Sequence, residues 1–261
     1  LVLLRGDTMQ APRKPTRAQK ERAPQHGAKT SDFNRKQYQD SYGINQFTLS
    51  PQQKTAQNVI RENTLSFVEG PAGTGKSLSI LHEFVKEYLE DNTKQIIVIK
   101  TPVESSGKDR VGFLPDSLDS KLEPHFAATK KTLCDLLSVG KVEADMGHRI
   151  RFMCPNFILG STLDNSLILI EEAQQLEPMI MKLLLERIGR NSKCVVTGDP
   201  QQLYTKDRDR NGLTDAIAKF FETENGKLVP RYGQVGYYQF DVDAVMRSDI
   251  CKTVIRAYRG L

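Results

Sequence analysis

Eight consecutive residues, Gly70-Pro71-Ala72-Gly73-Thr74-Gly75-Lys76-Ser77, have the types and spacing of a phosphate cradle, GxxxxGK[ST]. The glycines let the backbone curl so that successive N–H groups face phosphate oxygens. The helix N-terminus that follows adds partial positive charge. At these positions Lys76 would reach the β- and γ-phosphates, and the Ser77 hydroxyl would ligate Mg²⁺. An apolar LSFVE run precedes the loop and the amphipathic SLSILHEFVKEYL follows it. Strand, loop and helix in that order are the context the motif requires, so the expected ligand is ATP or GTP.

Two further runs end in polar groups. Leu167-Ile168-Leu169-Ile170-Glu171-Glu172-Ala173-Gln174 sets four apolar residues before two carboxylates. Glu171 would hold Mg²⁺ and Glu172 would polarise an attacking water. Read alone, paired glutamates also suit a solvated helix N-terminus, where the macrodipole attracts them. In Cys194-Val195-Val196-Thr197-Gly198-Asp199-Pro200-Gln201-Gln202-Leu203, a strand would deliver Asp199 and Gln202 beside the nucleotide. A glutamine amide bonds the γ-phosphate or the water without taking a proton, so it can report which nucleotide is bound. Taken by itself, Gly-Asp-Pro is an ordinary turn.

The elements that must position these groups follow from apolar patterning. Strands are expected at Leu65–Glu69, Gln95–Ile99, Ser166–Ile170, Cys194–Thr197 and Gln234–Phe240. Helices are expected at Pro51–Arg61, Lys76–Glu90, Leu118–Leu137, Pro178–Ile188, Asn211–Phe221 and Val242–Tyr258, the first with Ser50 as N-cap and Pro51 at N1. Short buried strands alternating with helices imply an α/β fold with a mostly parallel sheet. Tyr232, Tyr237, Tyr238 and Phe240 could stack bases, but aromatics are simply favoured in strands, and strand packing is the expected role.

The chain has 261 residues, with 37 Lys and Arg against 32 Asp and Glu, a formal charge of +5. Residues 1–41 hold nine of the basic and four of the acidic residues, so the whole excess lies there. That Pro-, Gln-, Arg- and Lys-rich stretch has too little apolar area to offset ordering entropy and is expected to be a disordered basic arm. Residues 42–261 are formally neutral and are expected to form one globular domain. No apolar run approaches the ~20 residues of a membrane helix, so no membrane contact is expected. Leu1 to Leu4 is too short for a signal-peptide core, and the opening Leu makes Met9 a candidate start. Cys134, Cys154, Cys194 and Cys251 stand far apart without a CxxC pair, which fits reduced thiols in a cytoplasmic protein.

In order along the chain, GPAGTGKS, LIEEAQ and VVTGDPQQL resemble three motifs of superfamily 1 helicases. Thr101-Pro102-Val103-Glu104-Ser105-Ser106-Gly107, Val111-Gly112-Phe113-Leu114-Pro115-Asp116 and Lys121-Leu122-Glu123-Pro124 narrow the match, because they are similar to the signature of PhoH-like proteins. So are Met181 to Gly189 and the segment Phe240 to Arg247. The resemblance spans about residues 46 to 258. It implies a RecA-like P-loop ATPase core with ATP and Mg²⁺ as cofactors, coupled to RNA or another single-stranded nucleic acid. It also implies a homo-oligomer, with a hexameric ring as the candidate assembly.

Carried onto this chain, the resemblance makes Gly73, Gly75, Lys76 and Ser77 phosphate and magnesium residues, within a loop that also includes Gly70, Pro71, Ala72 and Thr74. Glu171 and Glu172 match the metal-binding and water-activating acids. Gln174 and Gln202 match γ-phosphate sensors, with Asp199 beside them. Gln53 matches a glutamine that reads the adenine edge, and Arg187 and Arg247 match candidate arginine fingers. Several positions depart from the family pattern. Glu171 stands where Asp is usual, and Leu159-Gly160-Ser161-Thr162 lacks the two arginines of RGRT. These departures leave open a slow-hydrolysing, ATP-dependent switch or assembly protein. A small-molecule kinase also shares the GKS loop, yet GDPQQL and GFLP have no role in kinase chemistry.

Overall fold

The computed structural model describes residues 43–101, 118–158, 160–203 and 211–261. The expected basic arm, the Pro102–Gly107 and Val111–Asp116 signature segments and Leu159 lie outside the described residues.

Helix α1 (Pro51–Glu62) starts where its sequence dictates. The Ser50 hydroxyl accepts from the Gln53 N–H, the Gln53 side chain returns the bond to the Ser50 N–H, and Pro51 occupies the first turn. Strand β1 (Leu65–Glu69) then leads through the glycine loop into α2 (Lys76–Glu90). After β2 (Gln95–Lys100) come α3 (Leu118–Leu136), α4 (Val139–Asp145), β3 (Ile150–Met153), β4 (Ser166–Glu171), α5 (Pro178–Leu185) and β5 (Lys193–Gly198). Helix α6 (Gly212–Phe220), a β6–β7 hairpin (Phe221–Glu224, Lys227–Pro230), β8 (Val235–Gln239) and α7 (Asp249–Arg259) complete the fold.

Six strands form one sheet in the order β3-β2-β4-β5-β1-β8, every pairing parallel. This is the expected α/β class with a parallel sheet flanked by helices. The central strands β1 and β4 are buried at every position, because helices cover both faces. Alternation divides their side chains between two cores. Val68, Val98, Leu167, Leu169 and Val195 pack with Ile60, Ile80, Phe84 and Leu133 on one face. Phe67, Ile97, Ile99, Ile168, Ile170 and Val196 pack with Leu184, Leu213 and Ile217 on the other. Since all six strands run the same way, their C-terminal ends share one edge. The chain leaves β1 towards β2 on one side and leaves β5 towards β8 on the other, which opens a crevice at that edge.

The expected strands and helices appear within a few residues, with four differences, one of them the short α4 (Val139–Asp145), which was not expected. The helix expected across Val242–Tyr258 is a short 3-10 turn, Val242–Ala244, followed by α7. Between them the Met246 N–H donates to the Gly73 carbonyl at 2.9 Å, a bond that diverts the chain against the glycine loop. The β6–β7 hairpin was not expected, although its turn, Asn225-Gly226 with φ of 50° and 75°, is a strong hairpin signal. Strand β3 is only four residues long and mostly half-buried, too short to stand out as an apolar run. The aromatic cluster mainly packs: Tyr238 meets Phe240 edge-on at 5.0 Å and Tyr237 meets Phe221 at 5.6 Å, while Tyr232 is exposed.

Candidate active site

The glycine loop joins β1 to α2 with Gly73 at φ 82° and Gly75 at φ 79°, backbone that side chains rarely adopt. At Gly75 the buried Gln53 side chain leaves no room either, whereas at Gly73 the neighbour is the exposed Arg247 side chain. A Cβ at Gly75 would stand 2.2 Å from Gln53 Nε2, and one at Gly73 would stand 2.8 Å from Arg247 Cδ. Lys76 Nζ folds back onto the loop, donating to the carbonyls of Gly70 at 2.7 Å and Pro71 at 2.9 Å. Burial pushes the Lys76 ammonium below its ordinary pKa; Asp199, Glu172 and Glu171 counter this shift, and Arg259 adds to it.

Ser77 donates its hydroxyl to Glu171 Oε1. The other oxygen of Glu171 accepts from Thr129 Oγ1 at 2.6 Å and lies 3.9 Å from Lys100 Nζ. The Glu171 carboxylate is therefore fixed from three sides in a site that is 5% exposed. Lys100 is in register with Glu171 across the β2–β4 ladder, which places the cation beside the acid. Ser77 and Glu171 present only oxygen donors at one point, the ligand set a hard cation such as Mg²⁺ takes.

Glu172 follows directly in the left-handed region, φ 51° and ψ 39°, a strained conformation for a glutamate. The turn separates the two acids: Glu171 stays with Ser77, while Glu172 accepts from Gln174 Nε2 at 2.8 Å. The Gln174 Oε1 in turn accepts from the Asp199 N–H at 3.2 Å, so one buried amide links the ends of β4 and β5. The Gln202 carbonyl accepts from Gln175 Nε2 at 2.6 Å, which ties the next loop to the same group.

Ala72, Gly73, Gly75, Lys76, Ser77, Glu171, Glu172, Asp199, Gln202 and Arg247 all line one cleft of about 340 Å³. Gly70, Pro71 and Thr74 belong to the same loop and Gln174 holds Glu172, although none of these four lines the cleft; Gln53 and Arg187 fall elsewhere. Gln53 is fully buried behind the loop, with Oε1 accepting from the Ser50 N–H at 2.9 Å and Nε2 donating to the Thr74 carbonyl at 3.2 Å. One end of its amide thus caps α1 while the other holds the loop. Arg187 sits before β5, where its carbonyl accepts from the Leu163 N–H, near the N-terminal ends of β4 and β5 and opposite the cleft edge. Sequence reasoning missed Lys100 and Thr129 as partners of Glu171, and Arg259 as a partner of Asp199. Only the position of Lys100 at a strand end was a usable signal.

A glycine loop on a helix N-terminus, with a Ser–Glu pair at the C-terminal edge of a parallel sheet, defines a P-loop NTPase-like α/β protein. Within that class, a family model described as "PhoH-like protein" matches residues 47–259, and the chain belongs to that family. A PhoH-like protein of Bacillus subtilis is 30% identical over 76% of this chain and 59% of its own length. Protein PhoH of Escherichia coli K12 is 28% identical over 76% of this chain and 54% of its own length. The chain thus spans a little over half the length of these relatives. Among solved structures, Pif1 helicase from Candida albicans aligns with a TM-score of 0.37 and 14% identity, covering 75% of this chain and 40% of the helicase. No described helix is long and apolar enough to cross a membrane.

Proposed function

We propose that this chain binds ATP with Mg²⁺ and hydrolyses it, and that turnover is coupled to binding or remodelling RNA within a ring-shaped homo-oligomer. The observation that carries the reading is the meeting of Ser77 and Glu171 beside Lys76, at the mouth of a glycine loop. The loop N–H groups would hold the phosphates, and Lys76 would exchange the Gly70 and Pro71 carbonyls for β- and γ-phosphate oxygens. Magnesium, held by Ser77 and Glu171, would offset charge on the β- and γ-phosphates. Glu172 would take a proton from the water whose oxygen attacks the γ-phosphorus as the bond to ADP breaks. Gln174 bridges Glu172 and Asp199, which suits it to pass the state of the γ-phosphate to the Gln202 loop. Arg247 lines the cleft of its own chain, whereas Arg187 could act only in a neighbouring subunit.

Steady-state ATP turnover with and without single-stranded RNA, beside K76A, tests the proposal. The expected result is turnover that falls about a hundredfold or more in K76A and rises with RNA. Unchanged turnover in K76A would sink the mechanism. Deletion of residues 1–41 should lower both RNA affinity and its salt slope, because those residues carry the net positive charge.

A second reading, a slow-hydrolysing switch, is favoured by one feature. Glu171 is one methylene longer than the usual aspartate and is held by Ser77, Thr129 and Lys100 together. Slow turnover that RNA does not stimulate would select this reading.

A further inference from the structure

Arg259, in the last turn of α7, donates from Nη2 to both carboxylate oxygens of Asp199, at 2.8 and 2.7 Å. The pair is enclosed: the Arg259 side chain is 16% exposed and that of Asp199 6%. Asp199 lines the cleft beside Lys76 and also accepts from the Gln201 N–H at 3.1 Å. Helix α7 otherwise holds the body loosely, and none of its residues is fully buried. This one ion pair therefore joins the C-terminal helix to the end of β5.

An enclosed carboxylate in a cleft that admits a polyphosphate poses a physical problem. Uncompensated, it would repel the phosphates and compete with them for the Lys76 ammonium, in surroundings where water screens little. We propose that Arg259 is a positioning residue of the nucleotide site: by neutralising Asp199 it keeps that carboxylate from repelling phosphate and leaves Lys76 free to bind it. The inference rests on reading the cleft as a nucleotide site.

The test is calorimetric titration of the full chain with ATP and Mg²⁺, using wild type, K76A, R259K, R259Q, D199N and R259Q/D199N, with thermal melts alongside. R259Q should weaken binding about tenfold, as expected for an enclosed charge left without its partner. R259K, which keeps the charge, should stay within about threefold of wild type. R259Q/D199N should bind as D199N does, because with the carboxylate neutralised Arg259 has nothing left to offset. A merely structural arginine would cost the same in both backgrounds. The inference is overturned if R259Q binds as wild type, or if R259Q/D199N falls as far below D199N as R259Q falls below wild type. Should R259Q fail to fold, the comparison of R259Q/D199N with D199N decides alone: equality supports the inference and a tenfold gap overturns it. Wild type that binds no better than K76A overturns the nucleotide reading together with this inference.

Discussion

The Ser77 hydroxyl donates to the Glu171 carboxylate across 94 positions of sequence, although the strands that deliver them, β1 and β4, are not neighbours. Strand β5 lies between, so β1 and β4 stand two strand spacings apart, about 9.5 Å. The glycine loop and the start of α2 cross that gap over the end of β5. The gap is where Thr197, Gly198 and Asp199 face the cleft. Sheet order thus sets the width of the site, and the side chains close it.

Thr129 supports Glu171 through a 2.6 Å hydrogen bond from α3. T129V keeps the shape and removes the donor. The concentration of Mg²⁺ needed for half-maximal ATP turnover should rise about tenfold, the usual scale for a residue that orients a metal ligand. A magnesium titration of turnover, with a melting curve to confirm folding, checks this.

Gln53 caps α1 and braces the glycine loop from behind. Q53A should lower stability by roughly 1–3 kcal/mol, because it leaves buried partners unsatisfied. Nucleotide affinity should fall equally for ATP and GTP. Urea unfolding and paired titrations measure both; a change in base preference with stability intact would restore Gln53 to base recognition.

His82 is buried with Nδ1 2.9 Å from Gln57 Nε2 and Nε2 3.2 Å from the Ile44 carbonyl, a pattern that suits a neutral ring. Burial, and then nearby Lys86, hold its pKa below the ordinary histidine value, while the Ile44 carbonyl and Glu83 oppose the shift. The unfolded chain therefore binds a proton more readily than the native one. The stability carried by neutral His82 is complete above about pH 6.5 and declines as pH falls through the lowered native value. Melting temperature measured from pH 7.5 to 5 should drop more steeply for wild type than for H82Q.

Phe67 is fully buried in β1 and meets the rings of Phe220 and Phe221 at 5.6 and 5.8 Å. F67A should cost about 3–5 kcal/mol, since rigid neighbours on a central strand cannot collapse into the space. Denaturant unfolding monitored by circular dichroism gives the value directly.

Much of the fold could be read along the chain because its signals are local. Leu65–Glu69 and Lys76–Glu90 fall where apolar patterning puts them, and Ser50 and Pro51 mark the start of α1 through capping chemistry. The patterning fails where a distant contact decides. The residues from Val242 to Tyr258 carry helical spacing, but the bond from Met246 to Gly73 breaks the helix between Ala244 and Asp249.

By itself, the sequence determined the three motifs, their order and the α/β class, since each depends on residue type and on spacing within one strand, loop or helix. Only the tertiary structure decided which residues share the cleft. It placed Arg247 over Gly73 and Arg187 towards the other end of the strands, turned Gln53 away behind the loop, and paired Arg259 with Asp199. The reason is physical. Strand order and register arise from pairing between distant segments, and a side-chain hydrogen bond forms only where two backbones have already been brought within about 3 Å of matching donors and acceptors.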